Sequence, residues 1–96
     1  MRIDVVGKHM EVTDAIRTYA ESKAEKLLKY FSGTQQIRVY LEAGKKGEFS
    51  CEFAVDVVKH RDFIAHATNK DLYAAIDECS DKAQRQVLDF KEKLRG

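Results

Sequence analysis

The sequence predicts an α+β domain of element order β-α-β-β-β-α, a four-stranded sheet with two helices packed on one face. Three observations carry that reading. Four short segments alternate apolar and polar residues, and two long segments repeat apolar residues at helical spacing. Each strand pattern is apolar on one side only, so one sheet face is polar and open while amphipathic helices cover the other. A chain of 96 residues holds one core, so residues 1–96 are expected to form a single domain.

Residues 2–6 alternate, with Ile3 and Val5 on one face, and Gly7 is expected to stop this strand. Thr13 can cap the next helix, with Asp14 in its first turn, where negative charge suits the helix dipole. Val12 is placed to staple the entry against Ile16 or the stem of Arg17. The helix is expected over 14–31, with Ile16, Tyr19, Ala20, Ala24, Leu27, Leu28 and Phe31 as its apolar stripe and Ser32-Gly33-Thr34 as its stop.

A second strand spans 36–43, with Ile37, Val39 and Leu41 pointing one way and Arg38, Tyr40 and Glu42 the other. Gly44-Lys45-Lys46-Gly47 reads as a hairpin turn. The third strand, 48–58, buries Phe49, Cys51, Phe53, Val55 and Val57, and leaves Ser50, Glu52 and Asp56 on the open face. Residues 59–62 make the next turn, and a fourth strand over 62–68 turns Phe63, Ala65 and Ala67 inward. Asn69 or Asp71 opens a long helix to Leu94, whose buried stripe is Leu72, Ile76, Cys79, Ala83, Val87, Phe90 and Leu94.

Composition narrows the function. The apolar fraction is 44% and the charged fraction 34%, a globular balance with a heavily charged surface. Net charge is only +1, so a nucleic-acid surface must arise from uneven placement of charge. Cys51 and Cys79, one in a strand pattern and one in a helix pattern, read as reduced core thiols. No apolar run approaches the roughly 20 residues that span a bilayer, and Met1-Arg2-Ile3-Asp4 lacks the order of a secretory signal. The expected location is the cytoplasm, with no membrane contact.

Catalysis is not expected. His9, His60 and His66 have no second ligand at metal spacing, so no metal site and no cofactor are expected. No Ser/His/Asp arrangement, phosphate loop or glycine fingerprint is present. Glu52, Asp56 and His66 share the open sheet face, which strand alternation alone explains.

Charge along the helices is more informative. The second helix begins with Asp71, Asp77, Glu78 and Asp81 and ends with Lys82, Arg85, Lys91, Lys93 and Arg95; the first carries Arg17, Lys23, Lys26 and Lys29. One reading is dipole complementation on solvated faces, with pairs such as Glu25–Lys29. The other merges adjoining lysines into a basic stripe that tracks phosphates. Tyr40 alone on the sheet face does not make an RNA-stacking platform, so helices reading shape and phosphates are the better RNA surface.

Two segments are more specific. Gly7-Lys8-His9-Met10-Glu11-Val12-Thr13-Asp14-Ala15-Ile16-Arg17, with Tyr19, and Asp71-Leu72-Tyr73-Ala74-Ala75-Ile76-Asp77 resemble the bacterial ribosome hibernation-promoting factor family, which includes ribosome-associated inhibitor A. The likeness continues through Asp81-Lys82, Arg85-Gln86 and Lys91-Glu92-Lys93-Leu94 and covers essentially the whole chain, in the manner of the family's short form. It implies a fold similar to double-stranded-RNA-binding domains and a partner, the small ribosomal subunit with its 16S rRNA and ribosomal proteins. It implies occupancy of the channel for messenger RNA and the A- and P-site transfer RNAs, silencing idle ribosomes in stationary phase or stress. By the same resemblance the rRNA-binding residues are Lys23 and Lys26 on the first helix and Lys82, Arg85, Gln86, Lys91 and Lys93 on the second. The chain departs from the family at Leu88-Asp89, where consecutive lysines are common, and at Asn69-Lys70, where His-Glu is common. No small-molecule substrate is implied. The rival reading is a protein–protein or stress-response adaptor that uses the open sheet face or a sheet edge.

Overall fold

The computed structural model describes residues 2–30 and 33–95, the side chains of 94 and 95 excepted. Its elements run β1 (Arg2–Lys8), α1 (Asp14–Tyr30), β2 (Thr34–Ala43), β3 (Phe49–Val57), β4 (Phe63–Asn69) and α2 (Leu72–Arg95). The order is the expected β-α-β-β-β-α. Phe31, Ser32 and the Leu94 side chain, which the sequence patterns include, lie outside the described residues.

The sheet is mixed, in spatial order β1-β2-β3-β4. β1 lies parallel to β2, and α1 supplies the crossover that a parallel pair needs. β2–β3 and β3–β4 are antiparallel, with Val39 opposite Phe53 and Phe53 opposite Ala65 across the core face. Ile37, Val39, Leu41, Cys51, Phe53, Val55 and Val57 are all buried, as the alternation predicts. Ile16, Ala20, Ala24 and Leu27 of α1 and Ala75, Ile76, Cys79, Ala83 and Val87 of α2 close the core from one side.

Local chemistry sets the ends. Thr13 caps α1: its hydroxyl accepts from the Ile16 amide at 3.2 Å and its carbonyl from the Arg17 amide at 2.9 Å. Asp71, not Asn69, caps α2, its carboxylate accepting from the Tyr73 amide at 3.0 Å. Asn69 sits two residues earlier and its side-chain oxygen accepts from the Asp71 amide at 2.9 Å. The hairpin turn closes through Gly44 N–H to the Glu48 carbonyl at 2.7 Å, with Gly47 at φ 74°.

Gly7 does not stop β1, which continues through it to Lys8. A Cβ at Gly7 would lie 2.6 Å from Val12 Cγ2 and 2.8 Å from the Met10 carbonyl oxygen. The glycine admits the returning chain against the strand; close approach, rather than strand termination, is its role. β2 starts two residues earlier than expected, at Thr34, where its pairing with β3 shifts register between Thr34 and Gln36.

Cys51 and Cys79 are buried, free thiols. The Cys79 thiol lies 3.3 Å from the carbonyls of both Cys51 and Ala65, joining α2 to the centre of the sheet. Interaction with Cys79, then burial, pushes the Cys51 thiol well above its ordinary range.

Candidate functional site

The helix layer holds all seven residues singled out on α1 and α2, and the two helices run alongside each other in the same direction. Near their N-terminal ends, the Tyr19 hydroxyl donates to the Asp77 carboxylate at 2.5 Å, and the Tyr19 and Tyr73 rings meet edge to face with centroids 4.9 Å apart. Near their C-terminal ends, the Gln84 amide donates to the Tyr30 hydroxyl at 2.9 Å and the Lys91 ammonium to the Tyr30 carbonyl at 3.2 Å. Asp77, Gln84 and Lys91 face α1 together because they recur every second turn of α2.

The candidate residues divide into three settings. Lys23 and Lys91 are committed to the helix seam, Lys91 through the Tyr30 carbonyl and Lys23 with its ammonium 3.2 Å from Asp77 and 5.4 Å from the centroid of the Tyr19 ring. The Tyr19 hydroxyl, followed by Lys23, holds the Asp77 carboxyl below its ordinary value. The same hydrogen bond, then burial, pushes the Tyr19 phenol up to about 12. Lys82 and Gln86 belong to the opposite flank of α2, where the Lys82 ammonium donates to the His66 carbonyl at 3.0 Å and the Gln86 amide to the Ile64 carbonyl at 2.9 Å. Both acceptors lie on β4, an edge strand, so these side chains occupy main-chain groups that would otherwise be open to another strand. Lys26, Arg85 and Lys93 are exposed and make no hydrogen bond or ion pair with any described residue.

The lysines do not merge into the single basic stripe that one of the two readings offered; they form two patches on either side of α2, with Arg85 on the helix's outer surface. One patch follows the seam: Lys26, Lys29 and Lys91 around Tyr30. The other lies along the β4 side, where Lys93 joins His60, Phe63, Gln86, Asp89 and Phe90 around a shallow depression of about 350 Å³. His60 is exposed, yet its ring stacks on Phe63 at 4.6 Å and contacts Phe90 at 4.6 Å, so it is part of this surface's framework. Tyr30 belongs to no motif that sequence reading singled out. Tyr73 stands in the Asp-Leu-Tyr segment, which the likeness marked as a segment without giving the residue a role.

The open sheet face has a different character. Val6, Tyr40 and Ile64 are exposed there, interleaved with Arg38, Glu52 and His66. Val6, Tyr40, Glu52 and His66 lie in one cross-strand row. Among the described residues there is no group of three or more His, Cys, Asp or Glu side chains that could hold a metal ion, and no helix is long and apolar enough to cross a membrane.

Known proteins resemble the chain over nearly its whole length. A ribosome hibernation promoting factor of Escherichia coli K12 is 35% identical over 95 residues, covering 99% of this chain and 98% of that protein. One from Azotobacter vinelandii is 31% identical over 96 residues, covering 97% of this chain and 85% of its own length. A ribosome hibernation promotion factor of Lactococcus lactis is 32% identical, and there the chain spans about half of the relative, 51%. Among solved structures, the N-terminal domain of Thermus thermophilus Protein Y is 34% identical with a TM-score of 0.82, covering 94% of this chain and 99% of that domain. A ribosomal subunit interface protein from Coxiella burnetii shares the fold, with a TM-score of 0.86 at 20% identity. Residues 3–95 match the family described as Sigma 54 modulation protein / S30EA ribosomal protein, and the chain belongs to that family.

Proposed function

We propose that residues 1–96 act as a single cytoplasmic ribosome-binding domain that silences idle ribosomes by occupying the small subunit. The observation that carries this reading is the near full-length likeness to ribosome hibernation promoting factors, whose names denote ribosome factors rather than enzymes. The helix layer suits the task. Lys26, Arg85 and Lys93 project into solvent, and Lys82, Gln86 and Lys91 are positioned by bonds to main-chain carbonyls. Such groups fix the domain on phosphates and sugars without reading base sequence. The site is the channel for messenger RNA and the A- and P-site transfer RNAs, and the mechanism is steric: a rigid domain fills a space that active ribosomes fill with other ligands. Silencing belongs to stationary phase or stress, when ribosomes are vacant.

Sucrose-gradient sedimentation of extract from starved cells tests it. Tagged protein is expected with small subunits or ribosomes and is expected to leave them when growth resumes. Recovery only in the soluble top fractions under every growth condition overturns the reading. In cell-free translation, inhibition is expected to weaken when initiation complexes are assembled beforehand; equal inhibition of vacant and preassembled ribosomes argues against occlusion. The exposed Val6, Tyr40 and Ile64 on the open sheet face favour a second reading, an adaptor that binds another protein there. That reading predicts the top-fraction result.

A further inference from the structure

The shallow, open depression between the C-terminal halves of the two helices is lined by Lys26, Lys29, Tyr30 and Gln84 and spans about 480 Å³. Among the described residues no acidic side chain lines it. Tyr30 is 40% exposed although it sits beside the packed seam. Its ring is held at the hydroxyl, to which Gln84 donates at 2.9 Å, and its backbone is held by Lys91, which donates to the carbonyl at 3.2 Å. An aromatic face fixed in this way loses little conformational freedom when a flat ligand stacks on it. The Lys91 contact also occupies a carbonyl of the last turn of α1, where the helix dipole would otherwise repel an anion.

We infer that this depression takes one unpaired RNA nucleotide, its base stacked on Tyr30 and its flanking phosphates met by Lys26 and Lys29. The charge and shape of the lining select that occupant. Lysines beside an exposed aromatic ring are the pairing that single-stranded RNA uses, the ring for the base and the ammonium groups for the backbone. Gln84 gives one N–H to the Tyr30 hydroxyl and keeps a second N–H and its carbonyl oxygen for the edge of a base. Tyr40, on the open sheet face, is a poorer platform because Glu52 lies beside it in the adjacent strand and repels phosphate. The domain thus has a stacking contact at the helix seam in addition to its phosphate contacts. The inference rests on the ribosome reading above and adds a base-level contact to it.

The test measures binding of the full chain to vacant small ribosomal subunits across a salt series, for the parent and for Tyr30→Phe, Tyr30→Leu and Lys26→Gln/Lys29→Gln. Tyr30→Leu keeps apolar bulk and removes the stack; it should bind about tenfold more weakly at every salt concentration, with the parent's salt slope. Tyr30→Phe keeps the ring and should bind within about twofold of the parent, on the same stacking principle. Lys26→Gln/Lys29→Gln should instead flatten the salt slope. Parent-like affinity of Tyr30→Leu overturns the stacking contact while leaving ribosome binding standing. Equal losses in Tyr30→Phe and Tyr30→Leu also overturn it, because the hydroxyl bond to Gln84 would then be what matters. A parent that does not bind small subunits at all overturns both readings. Thermal unfolding of each variant, together with the Tyr30→Phe rescue, separates a binding loss from a folding loss.

Discussion

Reversing the charge at Lys82 and Arg85 separates the two meanings of the basic end of α2. Arg85 is exposed and makes no hydrogen bond or ion pair with any described residue, so Arg85→Glu should change stability by no more than about 0.5 kcal/mol. Lys82 donates one exposed hydrogen bond to the His66 carbonyl, worth about 1 kcal/mol. The double variant should therefore remain folded, with its urea midpoint only modestly lower. Binding should respond much more. Each phosphate contact contributes about 0.7 to 0.9 to the slope of log affinity against log salt, so two lost contacts flatten it by about 1.4 to 1.8. Between about 1 M and 0.1 M salt that removes a gain of roughly 25- to 60-fold, before repulsion from the new carboxylates is added. Urea unfolding and filter binding to vacant small subunits over this salt range measure the two quantities separately. A folded double variant with the parent's affinity and slope would show that these residues only complement the helix dipole and cover a strand edge.

Three further outcomes are expected. Gly7→Ala should lose about 1–3 kcal/mol in urea unfolding, since the new methyl overlaps Val12 and the Met10 carbonyl; adding Val12→Ala should recover only part, because the carbonyl remains. The Tyr19–Asp77 bond should shape stability at both pH extremes: Asp77, lowered in the fold, contributes above its ordinary value of 3.8 and loses this as pH falls through its folded value. Tyr19, raised to about 12, contributes fully below pH 10 and loses this as pH rises toward 12; unfolding midpoints of the parent and Tyr19→Phe should diverge below pH 10 and converge above it, and parallel curves would contradict this. The Cys51 and Cys79 thiols should resist an aromatic disulfide reagent in the folded protein and both react in denaturant, since both are buried; rapid native-state labelling would contradict their packing.

Most of the fold was legible because strand alternation and helical stripes are local signals. Ile37, Val39 and Leu41, and Cys51, Phe53, Val55 and Val57, face inward as their spacing requires. Gly7 was misread for a physical reason. A glycine that ends a strand and one that admits a neighbouring chain look alike until Met10 and Val12 are seen folded against it. The site was legible as a set of basic residues on two helices, but not as a surface. Whether Lys82 and Gln86 turn toward solvent or toward the β4 edge depends on where α2 crosses the sheet, which no local pattern specifies. Tyr30 was overlooked because it adjoins the apolar stripe of α1. Its value as an exposed ring depends on the parallel packing that brings Gln84 and Lys91 to it.

The seven candidate residues are not equivalent, and the difference can be measured. Gln86 carries no charge. The charge of Lys23 is already compensated, because Asp77 lies 3.2 Å from its ammonium and stays ionised through neutral pH. Lys82 and Lys91 touch only neutral carbonyls and keep their full charge, while Lys26, Arg85 and Lys93 are unengaged. Counterion release follows net positive charge delivered to the phosphates, so Lys23 with its partner delivers almost none. Lys23→Gln should then leave the salt slope of small-subunit binding unchanged, whereas Lys26→Gln should flatten it by about 0.7 to 0.9. Lys23→Gln should instead lower stability slightly, by the modest amount a half-exposed ion pair contributes. Equal flattening by the two substitutions would mean that Lys23 leaves Asp77 for a phosphate on binding, and that the helix seam opens when the domain docks.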